Sequence, residues 1–318
     1  MRRLAAALVL LCAACTTSPS APPPSPSATP TTPTTTPAPT ATPAPTATPK
    51  VSELFRIRDP RIDEASGIAA GRRSPGVVYV HNDSGDSARF FALDERTGAT
   101  AATIIVPGAT SHDWEDIAVA PDATGHSSVW LADIGDNTSE RSRIEVYRVD
   151  EPVVRPGDRG RRMRAPAPDT WLLRYPDGPH NAESFAVTPQ GVGYIVTKSE
   201  DGRSRVYRIP PRPDPGHLRP VTFVAAVTFD PGLLGGAATG ADFSRDGSLF
   251  VVRTYTDAYL WRVRRGDLAA ALHTAPVRFA LPLEQQGEGI AFDGDRLLVD
   301  SEGLASAVYA VPLPKRAG

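Results

Sequence analysis

Five times along the chain a polar lead-in is followed by a small residue, a large apolar one and a second small one. This recurrence constrains the fold more than any other feature. The segments are Glu64–Ala69, Asp113–Ala118, Asn181–Ala186, Thr239–Ser244 and Gln286–Ala291. Aligned on Ile68, Ile117, Phe185, Phe243 and Ile290, they stand 49, 68, 58 and 47 residues apart. Units of that length cannot bury their apolar faces alone and must stack on one another.

Each segment runs into a turn signal, such as Pro189–Gly191 or Arg245–Gly247, and then into β-branched and aromatic residues. The predicted second strands are Val77–His81, Val129–Ala132, Val192–Thr197, Leu249–Arg253 and Arg296–Val299. Third strands follow at Arg89–Leu93, Ile144–Val149, Arg205–Ile209, Ala258–Val263 and Ala307–Val311, and fourth strands at Thr103–Val106, Trp171–Tyr175, Val221–Phe229 and Val277–Leu281. The fifth repeat ends after its third strand, while Glu53–Ile57 precedes the first repeat without a partner. That segment can close the ring and leave no long sheet edge open. No helical period interrupts the series. The expectation is an all-β chain folded as a β-propeller of five four-stranded blades. A six-bladed ring is the alternative, with a further blade hidden in 150–170.

The remainder of the chain obeys different chemistry. Residues 1–14 read as a signal peptide, with Arg2 and Arg3 before an apolar run from Leu4 to Leu11. Cys12-Ala13-Ala14-Cys15 resembles the lipobox of bacterial lipoproteins, with Cys12 where leucine is usual. The resemblance implies a lipid on Cys15 and a place on the outer side of the cytoplasmic membrane. Ordinary secretion with cleavage near Ala14 is the other reading. Of residues 16–50, 34 of 35 are Pro, Thr, Ser or Ala, and 12 are Pro. Such a stretch has nothing to bury and reads as an extended stalk. Three regions result: leader 1–14, lipidated cysteine and stalk 15–50, and propeller 51–318.

Both cysteines lie in the leader, so the ring has no disulfide, no Cys-ligated metal and no thiol nucleophile. The formal charge is −2, from 34 basic and 36 acidic residues, with no basic excess for nucleic acid to meet. No nucleophile elbow, phosphate loop or zinc-protease motif is present. Arg155–Arg164 carries five arginines and reads as a solvated loop on the face opposite the acids.

In a propeller, the starts of first strands and the ends of second strands meet on one face, around the central channel. Two residues before each anchor stand Ser66, Glu115, Glu183, Ala241 and Glu288; four before stand Glu64, Asp113, Asn181, Thr239 and Gln286. Second-strand ends and the loops beyond add Asp83, Asp133, Asp136, Lys198, Arg253 and Glu302, while Trp114 and His180 neighbour the column. Carboxylates crowded round a narrow axis must raise their pKa values or share a cation. An all-oxygen donor set selects a hard ion, with flexible sites favouring Ca²⁺. The simpler reading is that the glutamates hydrogen-bond backbone amides of neighbouring blades.

Glu64 with Ser66, Trp114-Glu115, Glu183 and Gly287-Glu288-Gly289 resemble the repeats of soluble calcium-activated nucleotidases, the apyrase-type five-bladed propellers. That resemblance implies one Ca²⁺ in the channel, held through Ser66, Glu115, Glu183 and Glu288, with Ala241 standing where the family has a second serine. The rim expected to meet a ligand is Glu64, Asp83, Asp113, Trp114, Asp133, Asp136, His180, Lys198, Arg253 and Glu302. Two functions remain open. One is a calcium-stabilised module that recognises an extracellular protein, glycan or anionic small molecule. The other is a calcium-dependent phosphohydrolase or esterase acting at the mouth.

Overall fold

The computed structural model describes residues 50–232 and 235–314. The signal peptide, Cys15 and the stalk up to Pro49 lie outside the described residues.

Alternation of apolar and polar residues within each repeat produces antiparallel blades numbered here from the inside out. A first strand, β1 (Ser52–Arg56), precedes the repeats. Blade one holds β2 (Ala65–Ala70), β3 (Val77–Asn82), β4 (Arg89–Asp94) and β5 (Thr100–Ile105). Blade two holds β6 (Trp114–Pro121), β7 (Ser127–Asp133) and β8 (Ile144–Asp150), then, beyond a short β9 (Arg161–Arg164), β10 (Asp169–Arg174). Blade three holds β11 (Ala182–Val187), β12 (Gly193–Thr197) and β13 (Arg203–Arg208), then, beyond a short β14 (Leu218–Pro220), β15 (Thr222–Thr228). Blade four holds β16 (Ala238–Phe243), β17 (Leu249–Thr254) and β18 (Asp257–Arg262), followed by α1 (Leu268–Leu272) and β19 (Val277–Ala280). Blade five holds β20 (Gly287–Asp293), β21 (Arg296–Ser301) and β22 (Ala307–Pro312), and β1 completes it.

Closure follows the sequence expectation. β1 pairs antiparallel with β22, from Ser52 opposite Ala310 to Arg56 opposite Ala307, and Ile57 N–H donates to Ser306 O at 3.0 Å. Phe55 (5% exposed) and Ile57 (1%) bury their side chains between blades five and one. Being antiparallel to a third strand, β1 starts on the face away from the acidic mouth and ends beside it.

The core is not one mass but five apolar sandwiches, each filling the gap between two neighbouring blades. Inner strands are buried on both faces, which is why their anchors carry small neighbours. Around the axis these strands approach closely enough to exclude side chains. A Cβ on Gly240 would sit 2.6 Å from Glu288 O, and one on Gly289 would sit 2.9 Å from Ile68 N.

Three details differ from expectation. The 150–170 stretch forms no sixth blade. Its arginine-rich part supplies β9, paired parallel to β5 from Ala102 opposite Arg161 to Ile105 opposite Arg164, so it is not merely a solvated loop. β14 likewise pairs with β10. Both cover the outer edge of a blade, whose unpaired N–H and C=O groups invite another strand. Finally, α1 is a single helical turn capped by Asp267, whose carboxylate accepts from Ala270 N–H at 2.9 Å.

Candidate functional site

The starts of the inner strands bring the column together at the channel mouth. Ser66, Glu115, Glu183 and Glu288 are 2%, 4%, 5% and 3% exposed. Ser66 Oγ donates to Glu115 O at 2.7 Å and lies 3.4 Å from Glu115 Oε2. Lys198, at the end of β12, places Nζ 2.5 Å from Glu183 Oε1 and 5.3 Å from the centre of the Tyr255 ring. Glu183 Oε2 and Glu288 Oε2 are buried with no hydrogen-bond partner among the described residues. Ala241 adds no side-chain oxygen; its N–H points instead to Asp116.

Beside the column, Asp83, Asp113 and Glu115 each aim one oxygen into a common space, all within 4.8 Å of one another. Asp83 Oδ1 is buried without a partner. Gly135 forms the floor: a side chain there would overlap Glu115 Oε1 and Asp113 Oδ2. Electrostatics record the crowding. Burial first, then Asp113, raises Asp83 to about 7, and burial followed by Glu183 and Asp83 holds Glu115 well above the ordinary carboxylate range. Glu288 is pushed up to about 8 by burial and Glu183. Glu302 is raised by burial and by Glu64, and accepts from Gln286 Nε2 at 2.7 Å. Burial disfavours the Lys198 ammonium, but Glu183 more than offsets it, so that group stays charged.

Several residues expected on the ligand rim serve the protein itself. Trp114 is fully buried between blades one and two, its indole N–H donating to Thr110 O at 2.8 Å and His81 meeting it edge-on at 5.6 Å. Burial in turn lowers His81 to about 4. Arg253 is fully buried as well, donating to Gly289 O (2.9 Å), Asp300 O (3.0 Å) and Glu284 Oε2 (2.9 Å). Asp133 accepts from His112 N–H (3.1 Å), Asp113 N–H (3.2 Å) and Arg141 (2.7 Å). Asp136 accepts from the backbones of Glu140 (2.9 Å) and Arg141 (2.7 Å), so its loop is closed by protein donors. His180 faces outward, 3.2 Å from Asp177 Oδ1 and 3.1 Å from the Tyr207 hydroxyl. Glu64 is exposed near the fifth blade, with its backbone N–H 3.4 Å from Asn82 Oδ1.

A second acidic column escaped the sequence reading. Immediately before the anchors, Asp116 and Asp242 are fully enclosed by protein. Asp116 Oδ2 accepts from Phe185 N–H (2.8 Å) in blade three and Ala241 N–H (3.1 Å) in blade four, while Oδ1 accepts from Ile117 N–H (2.9 Å). Asp242 accepts from Phe243 N–H (2.8 Å) and from Phe292 N–H (2.7 Å) in the next blade. The signal was available as an acid at the same offset in two repeats. Tyr255 and Glu284, partners of Lys198 and Arg253, carried no comparable signal, since they lie in irregular connections.

The class so defined is a five-bladed β-propeller whose channel mouth is ringed by carboxylates. No family model matches the chain, and no curated protein matches its sequence. Among solved structures it is similar to an aldose sugar dehydrogenase from Streptomyces coelicolor in its PQQ-bound form. The identity is 14% and the TM-score 0.48, over 85% of this chain and 99% of that one. A glucose dehydrogenase gives 10% identity and a TM-score of 0.48 over 83% and 100% of the two chains. A chain of a nidogen/laminin complex gives 17% and 0.40, over 74% and 72%. None of these is an apyrase, so the likeness to calcium-activated nucleotidases rests on the short motifs of the column and on the blade count.

Proposed function

We propose that the ring is a recognition module displayed at the bacterial cell envelope, whose channel mouth takes a hard divalent cation, Ca²⁺ foremost, as part of the surface that meets its ligand. On this reading the lipid on Cys15 and the stalk attach it to the membrane. Its partner is an extracellular protein, a glycan or an anionic small molecule that completes the coordination of the ion.

One observation carries the metal reading. If the column glutamates served interblade amides, each would sit on a backbone N–H. Asp116 and Asp242 do that work, and they leave Glu183 Oε2, Glu288 Oε2 and Asp83 Oδ1 buried without donors. Buried acceptors without partners are costly, and here every donor atom is an oxygen of the kind Ca²⁺ prefers. A second reading, metal-assisted hydrolysis of an anionic ester, is favoured by Asp83 near 7 and Glu288 near 8, where a carboxyl group can both give and take a proton.

The test is a thermal melt of the full chain in chelator and in millimolar Ca²⁺. An ion that binds only the folded ring adds about 2.7 kcal/mol at a hundredfold excess over Kd. For a ring of this size that raises Tm by roughly 5–11 °C. Glu115→Gln, which removes the carboxylate shared by every arrangement of the site, should abolish the shift. Superimposed wild-type curves would overturn the reading. Phosphate release that depends on Ca²⁺ would favour the hydrolytic reading over the binding module.

A further inference from the structure

We infer that Lys198 is a built-in cation occupying the axial half of the mouth, so that the divalent ion binds off-axis, on Asp83, Asp113 and Glu115 between blades one and two. This rests on the metal reading above and names the residues that hold the ion.

The mouth is chemically asymmetric. Lys198 is the single lysine between Val51 and Pro314, in a ring otherwise supplied with arginine. A compact ammonium on a flexible stem can enter a narrow site where a planar guanidinium fork cannot. Its side chain is 12% exposed, pinned between Glu183 Oε1 and the face of Tyr255. Its charge already occupies the channel side of Glu183, the position an axial metal would need. Glu288 lies within the field of Glu183 and Lys198 on that same side.

The opposite half has no such cation. Two oxygens across one Ca²⁺ stand roughly 4.6–5.2 Å apart at 2.3–2.6 Å per bond, and the triad's oxygens lie within 4.8 Å of one another. Glu115, nine-tenths or more buried, receives a hydrogen bond from Ser66 on Oε2, and no protein donor among the described residues reaches Oε1. That oxygen and Asp113 Oδ2 converge over Gly135, where a side chain would fill the space. The orphaned Asp83 Oδ1 supplies a further donor. Arg141, the nearest arginine by sequence to this floor, is spent on Asp133 and Gly135 O.

Three variants of the full chain, read by calorimetric titration with CaCl₂ and by melting, separate the two halves. Asp83→Asn with Asp113→Asn should abolish Ca²⁺ binding. Lys198→Met with Glu183→Gln neutralises the axial pair together, and should leave Kd within about threefold of wild type. Lys198→Met alone opens the axial half, and should tighten binding about tenfold or add a second equivalent, because ligand charge sets affinity in such sites. Loss of binding in the Lys198→Met, Glu183→Gln double variant would place the ion on the axis and overturn the inference, as would retained binding in the Asp83, Asp113 variant. Should wild type bind no Ca²⁺, the metal reading fails by itself. A Ca²⁺ response gained by Lys198→Met would then still support the built-in cation, and no response would overturn it.

Discussion

Replacing Asp116 by alanine tests whether the second acidic column holds the ring together. The carboxylate accepts Phe185 N–H at 2.8 Å and Ala241 N–H at 3.1 Å, which belong to blades three and four, while its own strand lies in blade two. No other residue type at this position could reach both amides with a single oxygen. Asp116 is 0% exposed, so water cannot take over as acceptor without rearrangement. Leaving a buried donor unsatisfied costs about 1–3 kcal/mol, so the two amides together cost about 2–6 kcal/mol. In a domain of this length that lowers Tm by roughly 4–24 °C. Asp116→Asn keeps one acceptor oxygen and removes a buried charge, and should lose less than half as much. Urea unfolding followed by tryptophan fluorescence measures both, since Trp114, Trp130, Trp171 and Trp261 are all buried. A midpoint for Asp116→Ala indistinguishable from wild type would refute the idea that this side chain ties three blades together.

Phe55→Ala should destabilise the ring by about 3–5 kcal/mol, the usual cost of deleting a buried phenyl group, and limited proteolysis should then cut first near β1; cleavage that begins elsewhere would contradict the closure. In chelator, stability should fall as pH rises from 5 to 9. Asp242 and Asp300 have folded pKa values raised by burial to about 7 and about 8, so their contribution is complete below their unfolded values and is lost as pH climbs through the folded ones. Asp59 runs the other way, held at about 2 chiefly by Arg61, and its contribution disappears as pH drops through that value. A urea midpoint that increases between pH 5 and 9 in chelator would count against these assignments.

The ring was legible because its unit repeats. Period-two alternation marks each strand, and the unpaired Glu53–Ile57 at one end matches the missing strand at the other. The parallel outer strands were not legible: Arg161–Arg164 and Leu218–Pro220 are short and polar, and they pair with edges laid down far earlier in the chain. The mouth was legible as a place but not in its detail. Position in a strand fixes which face a Cα approaches, yet Trp114 and Arg253 turn into the walls because their polar atoms find Thr110 O, Gly289 O and Glu284 there. Asp116 was hidden for the same reason. A carboxylate beside a buried isoleucine looks like part of a polar lead-in until three backbone amides are seen around it.

The seam between β1 and β22 also decides how the ring is attached to whatever precedes it. Chain enters at Ser52, opposite Ala310, on the side remote from the carboxylates, and the last described strand leaves on that same side. A ligand approaching the mouth therefore crosses neither end of the chain. Any pull transmitted through the N-terminal segment is felt first by one short ladder and the two side chains, Phe55 and Ile57, that fasten it. The ring's clasp and its point of suspension are the same strand, so its resistance to mechanical load is set by the β1–β22 seam and not by the five cores.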